Sequence, residues 1–144
     1  MSGELMSDGK DLYIFACYIP PVNSTYYNNH DIDLFVCLED LICQYREDEH
    51  NIMVIGDFNS RTGNNDDFIH NDRLNDESTD LLSNIFHYIP DTAVRKRRNI
   101  DSSLNQFGRQ LLTLCKTTSL RIVNGRHDGD PDGNITFYNS RDPV

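Results

Sequence analysis

Residues 52–61 read Ile-Met-Val-Ile-Gly-Asp-Phe-Asn-Ser-Arg. Four apolar residues without a polar break predict a strand buried on both faces. Gly56 then lets the backbone turn or pack closely, and Asp57 and Asn59 follow with Phe58 between them. A carboxylate is costly to bury unless it is paired, hydrogen-bonded or bound to a cation. A buried strand that ends in Asp-x-Asn is therefore expected to deliver two polar groups to a site. In open α/β sheets such sites collect at the carboxyl ends of strands.

The rest of the chain arranges itself around that strand. Residues 12–18 are rich in β-formers and predict another buried strand, stopped by Pro20-Pro21. Asn23, Ser24, Asn28 and Asn29 mark a polar loop, and Asp31 is placed to cap a helix. Leu34, Leu38, Leu41 and Tyr45, flanked by Phe35 and Ile42, keep helical spacing, and the helix should fade into the charged residues 46–49. Residues 60–78, rich in Asn, Asp and Gly, predict a long exposed loop. A short helix is expected around Leu81, Leu82, Ile85 and Phe86, closed by Pro90. A firmer one is expected over residues 102–118, with Leu104, Phe107, Leu111, Leu114 and Cys115 facing inward. Short strands are expected at 120–124 and 135–138, with a turn between them. Early alternation and a late hairpin predict an α/β fold with a mixed sheet. The ends are awkward for a whole domain: a buried strand begins almost at once and the chain stops soon after another, as if cut at both ends.

The 144 residues suffice for one core, and 38% hydrophobic with 10% aromatic residues exclude a disordered chain. No apolar run spans a membrane, and residues 1–10, expected to be a disordered lead-in, hold no signal-peptide core. Cys17, Cys37, Cys43 and Cys115 form no C-x-x-C pair. They predict reduced, mostly buried thiols in an intracellular protein, nuclear or cytoplasmic. The net charge of −10 argues against a dedicated DNA-binding module, though an enzyme could still hold phosphate through a metal ion. The basic run at residues 95–98 is expected to be a solvated loop.

Asp57 and Asn59 suit phosphodiester hydrolysis: a carboxylate can take a proton from an attacking water, and an amide can donate to a phosphate oxygen. Tyr18, at a strand end, could hydrogen-bond a phosphate or be a core tyrosine with a wet hydroxyl. Asp128-x-Asp130-x-Asp132-Gly133 matches the start of a calcium loop, with Ile135 at the apolar position. Asn139 stands where the closing Glu should be, and Pro131 lies inside the loop. An acidic turn joining two strands is the preferred reading there.

Taken in order, Tyr18-Ile19-Pro20-Pro21, Gly56-Asp57-Phe58-Asn59-Ser60-Arg61-x-Gly63, Asn124-Gly125-Arg126 and Gly133-x-x-Thr136-Phe137 resemble the endonuclease/exonuclease/phosphatase superfamily. The resemblance is closest to the endonuclease domains of non-LTR (LINE-type) retroelements. Asn105-x-x-Gly108-x-x-Leu111-Leu112-x-Leu114-Cys115 is similar to the same branch, and the likeness runs over residues 11–144. It implies the C-terminal portion of a deoxyribonuclease-I-like two-sheet α/β sandwich that cleaves DNA with Mg2+. By matching position Asp57 would activate water, Asn59 would hold the scissile phosphate and Tyr18 would bond within the same site. Ser60, Arg61 and Thr136 would lie on the substrate side. The family also has an Asn and a metal-binding Glu ahead of the first strand, and a terminal Asp and His. None of these has a counterpart here, so the metal ligands are unassigned. The expected protein is a partial endonuclease domain, weak or inactive. The alternatives are a noncatalytic remnant or interaction module with the same half-fold, and an acidic calcium-binding module.

Overall fold

A computed structural model of the chain describes residues 11–46, 51–69 and 95–134. The expected disordered lead-in, the helix around 81–86 and the strand at 135–138, with Thr136, lie outside those residues. The described residues form a mixed α/β structure with one two-stranded parallel sheet and three helices. The chain divides into two compact units, Met1–Asn59 and Ser60–Val144.

In the first unit, strands β1 (Leu12–Tyr18) and β2 (Asn51–Asp57) pair in parallel, from Leu12 opposite Asn51 to Tyr18 opposite Asp57. Parallel neighbours need a crossover. Helices α1 (Tyr26–Asn29) and α2 (Leu34–Arg46) supply it. The short α1 falls in the stretch expected to be loop; Ser24 and Thr25 carbonyls accept the first turn's N–H groups. Helix α2 is capped by Asp33, not Asp31, because the apolar stripe starts two residues later. Asp33 Oδ1 accepts from the N–H groups of Phe35 (2.9 Å) and Val36 (3.3 Å). Phe35, Leu38 and Ile42 are buried, and the Tyr45 ring meets Tyr13 at 4.9 Å and Phe15 at 5.3 Å. That contact covers one face of the sheet. On the other, Leu12, Ile14, Met53 and Ile55 are about half exposed, which corrects the expectation of strands buried on both faces. Gly56 lies opposite Cys17 at φ +145°, and a Cβ there would collide with the Cys17 carbonyl oxygen. Cys37 and Cys43 are exposed on α2 and Cys115 alone is buried, so the thiols are free but not mostly buried.

In the second unit, helix α3 is Gln106–Thr118 and starts four residues later than expected. Asp101 Oδ1 takes the Ser103 N–H at 2.9 Å, and Leu104 bridges to Thr62, so the segment before Asn105 is spent on a turn and a bridge. Asn105 Oδ1 caps the helix at Gly108 N (2.7 Å) and also accepts from Arg61 N (3.0 Å). Gly108 is required there because a Cβ would strike the Arg61 carbonyl. The inner stripe is Phe107, Leu112, Leu114, Cys115 and Thr118; Leu112 takes the place expected for Leu111. Residues 120–124 form no strand. The Ile122 N–H goes to the Asp67 carboxylate at 2.7 Å, and the Arg121 guanidinium occupies the Leu120 carbonyl at 2.7 Å, so side chains take what a strand partner would.

Candidate active site at the strand ends

The register sets Tyr18 and Asp57 side by side at the carboxyl ends of β1 and β2. Pairing continues one step further, with Ile19 N donating to the Asp57 carbonyl at 2.8 Å. Asp57 Oδ1 accepts the Asn59 N–H at 2.9 Å, an Asx turn that bends the chain away from the sheet. Asn59 sits at φ +47°, a left-handed conformation that asparagine tolerates well. Its Nδ2 donates to the Ile19 carbonyl at 2.8 Å. The Asp-x-Asn pair thus ties the end of β2 to the end of β1. Asp57 is exposed, and its Oδ2 has no hydrogen-bond donor among the described residues. Tyr18 is 64% exposed.

An open carboxylate oxygen beside a phenol, both at fixed strand ends, can accept a proton from water and donate to an anionic oxygen. Ser60 and Arg61 belong to the second unit. The Arg61 guanidinium lies 3.7 Å from Asp101 and stays largely exposed. Among the described residues no group of three or more His, Cys, Asp or Glu could hold a metal ion.

The acidic turn at 128–133 uses its carboxylates internally. Asp128 Oδ1 meets Arg95 at 2.8 Å, and Asp130 Oδ1 takes the Asn134 N–H (2.9 Å) and Nδ2 (2.8 Å). Asp130 Oδ2 takes the Gly125 N–H at 3.2 Å. These bonds hold both carboxyls below the usual range: Arg95 acts on Asp128, and the Asn134 backbone first of all on Asp130.

Two constellations escaped the sequence. The first is Asp67, fully buried in what reads as an exposed loop. Arg126 grips it bidentately, at 2.6 and 3.0 Å. Arg97, from the basic run expected to be solvated, is also buried and donates to Thr62 Oγ1 at 2.9 Å and the Gly63 carbonyl at 3.1 Å. The only hint in the sequence is an Asp followed directly by Phe68-Ile69. The second is an aromatic cluster on α1. Tyr26 stacks on His30 (centroids 4.5 Å, 31° between planes) and meets Tyr27 edge-on at 5.3 Å. Tyr27 donates to the Pro20 carbonyl at 2.9 Å. Tyr26-Tyr27 and His30, one helical turn apart, carried that signal.

No family model, curated protein or solved structure matches the chain.

Proposed function

We propose that this chain is part of an endonuclease-type phosphodiesterase domain, retroelement-like in descent, whose full form is a two-sheet α/β sandwich acting on DNA. The observation that carries the reading is the pairing of Tyr18 with Asp57 at the carboxyl ends of parallel strands, with an Asp57 oxygen left open. In the proposed hydrolysis a water oxygen bonds to phosphorus, Asp57 takes the water's proton and the ester oxygen leaves. Tyr18 donates to a phosphate oxygen as its charge builds. Asn59 holds the phosphate from the position that its bond to Ile19 fixes. A bound magnesium ion would supply charge neutralisation. It ordinarily takes one or two carboxylates besides water and substrate oxygens. The described strand ends offer Asp57 alone, which falls short of the ligand set implied by the resemblance.

The second reading is a noncatalytic remnant with the same half-fold. Relaxation of supercoiled plasmid with magnesium separates them. Slow nicking at high protein concentration, lost in Asp57→Ala, supports a weak enzyme. No nicking, with oligonucleotide binding retained, favours the remnant. Fast nicking that survives Asp57→Ala refutes the assignment of Asp57.

A further inference from the structure

The α1 cluster is joined to the strand ends by one short segment, Ile19-Pro20. The Ile19 carbonyl accepts from Asn59 (2.8 Å) and the Pro20 carbonyl from Tyr27 (2.9 Å). Both residues of that segment are buried, and through them Tyr27 and Asn59 bond to adjacent carbonyls. Tyr26 is covered by its neighbours, with His30 on one side and Tyr27 edge-on. His30 is exposed, and its outer face meets no other ring among the described residues. The stack therefore ends in an open aromatic face. Between Tyr18 and Asp33 there is no Lys or Arg, while Asp31, Asp33 and Asp57 are all carboxylates. This segment therefore offers a phosphate backbone no Lys or Arg, and the open aromatic face is what it can present to a base.

We propose that the Tyr26–His30 stack is a base-stacking subsite for one unpaired nucleotide, tied to the strand-end site through Ile19-Pro20. The inference rests on the endonuclease reading and names its substrate feature: a single-stranded or frayed nucleotide, since a paired base hides both faces in the duplex. Stacking is sequence-tolerant because every base has a π-face. With no Lys or Arg in residues 18–33, its share of binding should depend weakly on salt, unlike phosphate-driven binding.

The test is fluorescence anisotropy with the 144-residue chain and three probes: an oligothymidylate, an abasic oligomer of equal length and a blunt duplex. The expected order is oligothymidylate tightest, with a shallow salt dependence. His30→Ala should weaken oligothymidylate binding roughly five- to 150-fold, the range of one lost base–aromatic stack. It should leave the abasic probe unchanged, and His30→Phe should restore binding. His30 is exposed, so these variants should fold, which circular dichroism checks. If oligothymidylate binds but His30→Ala does not weaken it, or if the duplex binds tightest, the subsite is refuted and the endonuclease reading stands. If none of the three probes binds, both fall.

Discussion

Replacing Asp67 by asparagine conserves shape and removes one charge from the best-enclosed ion pair among the described residues. Asp67 is fully buried and the Arg126 side chain is 14% exposed. The carboxylate accepts both Arg126 nitrogens and the Ile122 N–H. In Asp67→Asn one oxygen becomes an NH2 that must point at another donor, and Arg126 loses its counter-charge. Breaking a buried pair from one side costs about 3–5 kcal/mol. Asparagine keeps one acceptor, so the lower end, about 3 kcal/mol, is expected, out of a total stability of about 5–15 kcal/mol. Urea unfolding followed by circular dichroism should show the lower midpoint, and the Ile122 amide should exchange hydrogen roughly 150-fold faster. The pH dependence gives a second reading. Burial pushes the Asp67 carboxyl up, but the Arg126 hydrogen bonds and the Ile122 N–H outweigh it and hold it below the ordinary range. A folded value below the unfolded one, about 3.9, means stability that is full well above that pH. It is lost as the pH falls through the unfolded value toward the folded one. Asp67→Asn should lack this component of acid sensitivity. The double variant Asp67→Leu/Arg126→Leu should recover only the part of the loss that comes from the unpaired Arg126 charge, since the Ile122 N–H still loses its acceptor. A loss under about 1 kcal/mol in Asp67→Asn, with unchanged Ile122 exchange, would refute the argument, because an enclosed charge cannot lose its partner so cheaply.

Gly56→Ala should destabilise the first unit by at least about 2 kcal/mol in the same urea assay, since the new Cβ meets the Cys17 carbonyl and φ is +145°. A near-neutral result would show that the strand pair shifts freely. Iodoacetamide at pH 8 should label Cys37 and Cys43 in the native chain and spare Cys115, whose thiol burial pushes up to about 12; mass spectrometry of the labelled peptides reads this directly. Calcium titration calorimetry should detect no micromolar site at Asp128, Asp130 and Asp132, because two of the carboxylates already hold Arg95, Asn134 and Gly125. Binding abolished by Asp128→Ala would promote the calcium-module reading.

The parts legible in the sequence were those governed by local pattern. A run rich in β-formers gave β1, helical spacing gave α2 and α3, and strand–Gly–Asp-x-Asn gave the polar pair at the end of β2. Boundaries slipped where a side chain competed with the backbone: Asp33 rather than Asp31 caps α2, and Asp101 delays α3 to Gln106. What stayed hidden is long-range. Nothing near Asp67 announces that Arg126, 59 residues on, will neutralise it, or that Arg97 will leave water to serve the loop at Thr62 and Gly63. Polar composition reads as exposure until a partner at a distance makes burial affordable. The strands misled in the opposite sense. An unbroken apolar run says that both faces can be covered, and Met53 and Ile55 remain half exposed.

The register of β1 against β2 carries a consequence for how the gene can change. Side chains alternate with period two, so inserting or deleting one residue within either strand turns all later residues to the opposite face. In β1 such a change would swing Phe15 off the Tyr45 ring and, in the same step, move Tyr18 from its place opposite Asp57. Core and strand end would fail together, whereas length variation in the loop at 21–25 disturbs neither ladder. Tolerance to insertions should therefore be sharply uneven along the first unit, nearly zero inside the ladder and generous a few residues beyond it.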